Sequence, residues 1–173
     1  RQSVGNRARI EHGPAGSGRT ALAVRAAQQL RDQFRGACVV DLRGAGGGRT
    51  PLPVRDALLH LLNRLGAPRD QLLFRERQER QNQEQQLRRL SEQYQKHLTG
   101  VPVVIVLDDA TDAEQVRALV PERSESLVLV TAREPFDLGL PAEWTHTLEV
   151  GPLDLDGAFE LLGELADAAG TAT

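Results

Sequence analysis

The residues best suited to chemistry form one short stretch, Gly13–Thr20, which reads Gly-Pro-Ala-Gly-Ser-Gly-Arg-Thr. Its spacing matches the phosphate-binding pattern G-x-x-x-x-G-K-[ST] at every position except one, where Arg19 replaces the lysine. Glycines let such a loop turn its N–H groups toward phosphate oxygens, and the helix that follows adds the positive end of its dipole. The Thr20 hydroxyl is expected to bind Mg²⁺. The residues expected to contact a nucleotide here are Gly13, Gly16, Ser17, Gly18, Arg19, Thr20 and Ala21.

Two acidic residues follow the most apolar stretch of the chain. Val103–Leu107 runs directly into Asp108 and Asp109. Behind a phosphate-binding loop, an acid at the end of a buried strand binds Mg²⁺, and a second acid can orient or activate the attacking water. The pattern therefore predicts that Asp108 binds the metal and that Asp109 is catalytic.

A third polar group ends the next apolar stretch, where residues 127–130 are followed by Thr131, Ala132 and Arg133. Ligands of open α/β sheets lie at the carboxyl ends of the strands. We therefore expect the polar pair of Thr131 and Arg133 to sense the γ-phosphate of a nucleotide, with Arg133 as its charged member. The simpler interpretation is a capping threonine followed by a surface arginine.

Hydrophobic periodicity predicts the elements that position these groups. Strands are expected at 37–42, 101–107, 127–130 and 145–150, and helices at 20–34, 54–65, 87–98, 111–119 and 154–167. This alternation predicts a parallel sheet with helices on both faces. Residues 6–12 are too polar for the buried strand that normally precedes a phosphate-binding loop. Either this strand is unusually poor, or residues are missing near Glu11, which is what we expect.

Composition limits the function. The chain has 173 residues with a net charge of −3, so it offers no overall field that attracts nucleic acid or an anionic membrane. One cysteine, Cys38, excludes an internal disulfide and favours a cytoplasmic location. Residues 75–86 contain no apolar side chain and predict a solvated helix or connection. A nucleic-acid-binding arm is the alternative, but it would need net positive charge and aromatic residues.

In this order the motifs resemble the NB-ARC nucleotide-binding domain of STAND-class signal-transduction ATPases, particularly bacterial regulators. The resemblance covers most of residues 13–165. It includes Val-Asp-Leu-Arg-Gly at Val40–Gly44, Leu-Asp-Asp-Ala at Leu107–Ala110, and Leu148–Leu153. Val4–Arg7 is similar to a motif that helps to hold adenine in this family, so Arg7 is a further expected nucleotide contact.

The resemblance implies a three-layer P-loop NTPase fold with about five parallel strands in the order 5-1-4-3-2. It implies an ATP/ADP switch with Mg²⁺, a nucleotide-binding domain over residues 1–150, and the start of a helical lid over residues 151–173. The first implied partner is the nucleotide. The others are the helical, winged-helix and effector domains of the same protein and, after activation, further copies of the protein. We expect this domain to contact neither a membrane nor, directly, a nucleic acid.

Arg19 decides how far this function carries over. Arginine keeps the positive charge, but its planar guanidinium is bulkier than an ammonium group. We expect nucleotide binding to persist with slow or absent hydrolysis, so Arg19→Lys should raise turnover or tighten ATP binding. The alternative function is a degenerate loop in a non-catalytic interaction or oligomerisation scaffold. A small-molecule kinase is less favoured, because no lid or acceptor site is identifiable.

Overall fold

The computed structural model describes residues 7–44, 50–67, 83–122 and 124–170, with the side chains of 165–170 excepted. The strands are β1 (Arg7–His12), β2 (Ala37–Asp41), β3 (Val104–Ala110), β4 (Leu127–Ala132) and β5 (Thr145–Glu149). The α-helices are α1 (Arg19–Leu30), α2 (Val54–Arg64), α3 (Gln83–Leu98), α4 (Ala113–Arg117) and α5 (Leu155–Gly170). Most of the predicted solvated stretch, up to residue 82, lies outside the described residues.

The five strands form one parallel sheet in the order β2-β3-β4-β1-β5. This confirms the predicted strand order and fold class. Helix α1 packs on one face, mainly against β3 and β4, through the small side chains of Ala23 and Ala27. Helices α2 and α3 pack on the other face, where Leu58, Leu61 and Tyr94 are fully buried. None of the helices in the described ranges is long and apolar enough to cross a membrane.

Strand β1 corrects the prediction that the residues before the loop are too polar for a central strand. It lies between β4 and β5, with Ala8 and Ile10 fully buried in the larger core. Arg7 and Arg9 alternate with them and are exposed on the other face. A polar central strand is possible because α1 covers mainly β3 and β4, which leaves part of that face open to water. The strand forms without the additional residues predicted near Glu11, whose existence stays a prediction.

Strand β3 extends further than its apolar residues suggest. It was predicted to end at Leu107, but pairing with β4 resumes at Ala110 after an irregularity in the register. Asp108 pairs with Asp41 at the end of β2. Both predicted acids therefore belong to the strand itself, because backbone pairing on both sides continues past the last apolar residue.

Candidate phosphate-binding site at the carboxyl edge of the sheet

The predicted phosphate-binding loop connects β1 to α1. Gly16 and Gly18 have φ angles of 82° and 87°, in the left-handed region that glycine adopts without steric cost. Gly18 is the N-cap of α1, and no side chain of the described residues caps this helix. Gly13 is buried at the end of β1 against the backbone of Val150. The backbone of the loop thus depends on its glycines.

The loop presents polar groups that lack hydrogen-bond partners among the residues that the structure describes. Within the described part of the chain, the N–H groups of Gly16 and Gly18 donate to no protein acceptor. The Ser17 hydroxyl oxygen is buried and has no hydrogen-bond partner among the described residues. The first turn of α1, which includes Ala21, adds N–H groups without intrahelical acceptors and the positive end of the helix dipole. Phosphate oxygens are acceptors for all of these donors, so the residues present fit a nucleotide phosphate.

Two hydroxyl groups converge on one carboxylate oxygen beside the loop. Thr20 Oγ1 donates to Asp108 Oδ1 at 2.7 Å, and Thr131 Oγ1 donates to the same oxygen at 2.6 Å. This group joins the start of α1 to the ends of β3 and β4. Hydroxyl and carboxylate oxygens suit Mg²⁺, which keeps several water or phosphate ligands. The described residues contain no cluster of three or more His, Cys, Asp or Glu that could hold a metal, so a cation here would rely on phosphate and water as well.

Asp109 adopts an unusual backbone conformation, with a φ of 56°. Its N–H donates to Thr131 Oγ1 at 2.9 Å, and its carbonyl oxygen accepts from the Gly44 N–H at 2.7 Å. The irregular register of β3 lies at this position. Bulges of this kind redirect side chains near functional sites.

Arg19 reaches from the start of α1 to the end of β4. Its Nη1 donates to the carbonyl oxygen of Ala132, and the side chain is half-buried. Arg133 follows immediately and is exposed. The first two residues of α1 are therefore tied to two strands: Arg19 to β4, and Thr20 to Asp108 of β3.

Arg7 does not join this group. It is the first residue of β1 and pairs with Leu127, the first residue of β4. At about 3.3 Å per residue, the strand places it roughly 17 Å from His12 and the loop. The structure gathers the other predicted residues at the carboxyl edge of the sheet, and the adenine contact of Arg7 stays a prediction.

Two residues at or near the site, Gly44 and Glu11, were not assigned a role from the sequence, and Thr131 was assigned only as a partner of Arg133. Thr131 and Gly44 hold Asp109 through its backbone. Glu11 is 5% exposed, and its Oε2 is buried without a hydrogen-bond partner in the described ranges. Desolvation raises the pKa of Glu11, while the charge of Arg9 opposes the shift. The sequence feature that could have identified Glu11 is a carboxyl group in the strand that precedes the phosphate-binding loop.

Comparison with known proteins agrees with this geometry. The family model of the AAA ATPase domain matches residues 11–137 of the sequence. The regulatory protein AfsR of Streptomyces coelicolor is 36% identical over 122 residues, which are 70% of this chain and 11% of AfsR. A STAND protein with a tetratricopeptide repeat sensor, PH0952 of Pyrococcus horikoshii, superposes with a TM-score of 0.54 at 20% identity, covering 92% of this chain and 23% of that one. The chain thus spans about a tenth of AfsR.

Proposed function

This chain belongs to the AAA ATPase domain family, and we propose that it is the ATP/ADP-binding switch module of a larger regulatory protein. The family implies nucleotide binding. The resemblance to STAND-class ATPases is confirmed by the family match, AfsR and PH0952 taken together. The switch itself, its hydrolysis and its partners are the proposal.

The convergence of Thr20 and Thr131 on Asp108 carries the proposal. Thr20 and Asp108 are the residues that would hold Mg²⁺, and the loop N–H groups with Arg19 would hold the phosphates. When bound, Mg²⁺ neutralises charge on the phosphate oxygens. Asp109 is the candidate for orienting the attacking water, and Arg133 for sensing the γ-phosphate.

The proposal of a larger protein is supported by α5. Its side chains Leu155, Phe159 and Leu162 are 78%, 71% and 62% exposed. They follow one another at helical spacing, so they form one apolar stripe. We propose that residues 151–173 begin a lid segment that packs against further domains, and that exchange of ADP for ATP releases these contacts for self-assembly. A regulatory role is supported by two similar proteins: AfsR is a regulatory protein, and PH0952 carries a tetratricopeptide repeat sensor.

Arg19 supports slow hydrolysis and also the second candidate function. Its guanidinium donates to the protein's own Ala132 carbonyl, so a phosphate must compete with this contact for the residue at the lysine position. If this contact is stronger than the contact with phosphate, the domain is a scaffold that mediates protein interactions and does not bind nucleotide.

Thermal unfolding with Mg-ADP and Mg-ATP separates the two functions. Nucleotide at a hundred times its Kd stabilises the folded state by about 2.7 kcal/mol. For a chain of this size, that raises Tm by about 5–11 °C. Thr20→Val removes the hydroxyl while keeping the shape of the side chain, so it should abolish most of the Mg²⁺-dependent part of the shift.

The matched control is Thr99→Val. Thr99 is exposed at the end of α3, where its hydroxyl donates to the Gln95 carbonyl, and its loss should leave the nucleotide-induced shift unchanged. If millimolar nucleotide leaves the Tm of the wild-type protein unchanged, the switch is rejected in favour of the scaffold. An equal loss of shift in both variants would reject the assignment of Thr20.

A further inference from the structure

The stretch Asp41–Gly44 has a defined structure that nucleotide binding leaves unexplained. Asp41 Oδ1 accepts from the Arg43 N–H at 2.8 Å, and Arg43 has a φ of 56°. Leu42 is fully buried, and its N–H donates to the Asp108 carbonyl at 2.8 Å. The buried leucine and the turn at Arg43 thus bring Gly44 alongside Asp109.

Asp109 is held on both sides of its α-carbon. A non-glycine residue with positive φ is strained and persists only where its surroundings determine it. Here Thr131 accepts from the Asp109 N–H, and Gly44 donates to its carbonyl oxygen. The two contacts come from the two sides of β3. Thr131 belongs to β4, and Gly44 follows the end of β2.

Glycine is required for the second contact. A Cβ added to Gly44 would lie 2.2 Å from the Asp109 carbonyl oxygen and 2.9 Å from both Ala110 C and Thr111 Cγ2. Real Cβ atoms do not approach backbone this closely, and backbone yields less readily than the end of a flexible side chain. Any larger residue at position 44 would therefore push the Asp109 peptide out of place.

We propose that Gly44 is the positioning residue that holds Asp109 in its left-handed conformation and so sets the direction of its carboxylate. The catalytic consequence rests on the proposed function, in which Asp109 orients the attacking water. The structural consequence does not depend on it. Gly44→Ala should slow hydrolysis at least tenfold while changing the Kd of Mg-ADP by less than threefold, because the loop, Thr20 and Asp108 keep their places.

A double-mutant cycle tests the structural part without any nucleotide. Gly44→Ala should lower Tm by about 4–8 °C, as overpacking does. Asp109→Gly lets the displaced peptide adopt conformations that a Cβ at position 109 would forbid, so the same Gly44→Ala substitution should lower Tm less than half as much in that background. Gly36→Ala is the control, since no atom of the part of the chain that the structure describes lies within 4 Å of an added Cβ there. The Tm of this variant should stay near that of the wild type.

A second variant covers the case in which Gly44→Ala does not fold. Thr131→Val removes the acceptor of the Asp109 N–H and also a donor to Asp108 Oδ1. It should therefore lower turnover more than it weakens the binding of ADP measured without Mg²⁺. Thr131→Ser keeps the hydroxyl and should restore turnover to within about threefold of the wild type.

The outcomes separate this proposal from the function on which it rests. Absence of nucleotide binding by the wild-type protein rejects the switch, whereas nucleotide binding without measurable hydrolysis does not. In both cases the thermal cycle alone decides the role of Gly44. Additive Tm losses in that cycle overturn the positioning role. Wild-type turnover in Gly44→Ala, with nucleotide binding intact, likewise overturns it while the switch stands.

Discussion

Replacing Arg19 with lysine tests the one departure of the loop from its pattern. The Arg19 guanidinium donates to the Ala132 carbonyl, and a phosphate must compete with that contact. A hydrogen bond from a charged group contributes about 1.5–3 kcal/mol to stability. Because Arg19 is only half-buried, water replaces part of the lost interaction and the lower figure applies. A lysine that loses the Ala132 contact should therefore bind nucleotide about tenfold more tightly, since 1.4 kcal/mol is a factor of ten.

The same substitution should act in the opposite direction on the protein without nucleotide. Loss of about 1.5 kcal/mol lowers Tm by roughly 3–6 °C for a chain of this length. Titration calorimetry with Mg-ADP gives Kd, and calorimetric unfolding without nucleotide gives Tm. The signature of competition is the pair of results: lower stability without nucleotide, and tighter binding with it.

Arg117→Lys is the matched control. Arg117 Nε also donates to a backbone carbonyl, that of Leu138 at 2.8 Å, but it lies in α4. Its replacement should lower Tm without changing Kd. The reasoning is refuted if Arg19→Lys alters neither Tm nor Kd. If Arg19→Ala also binds nucleotide normally, position 19 is not part of a phosphate-binding loop.

Two further predictions concern buried titratable groups. Burial raises the pKa of the Cys38 thiol to about 11, so the native protein should react with a thiol reagent at pH 8 only after denaturant is added; stoichiometric labelling of the native state would contradict this. Burial also raises the pKa of the Glu11 carboxyl group. The folded state therefore keeps the Glu11 proton to a higher pH than the unfolded state does. Ionisation of Glu11 should reduce the stability of the fold as pH rises through the folded pKa. Glu11→Gln should therefore raise Tm relative to the wild type more at pH 7.5 than at pH 4.5, and an equal difference at both values would refute the assignment.

Much of the fold was readable from local patterns. The apolar residues of β2, β3 and β4 and the helical spacing of α1, α2 and α3 identified these elements, because burial selects side chains at periods set by backbone geometry. The polar strand β1 escaped this reasoning. Its exposed Arg7 and Arg9 are tolerated because α1 packs mainly on β3 and β4. The six residues of β1 contain no information on where α1, which follows the loop, packs on the sheet.

The sequence by itself determined the phosphate-binding loop, the acids that follow an apolar stretch, and the family resemblance that supplied the strand order. Those features depend on residue types at short fixed spacing, which the covalent chain preserves. Only the tertiary structure decided that Arg19 contacts Ala132, 113 positions away, and that Thr20 contacts Asp108, 88 positions away. It also decided that Gly44 meets the backbone of Asp109. These contacts depend on the register of the sheet and on a bulge in β3, and both are set by the packing of distant segments.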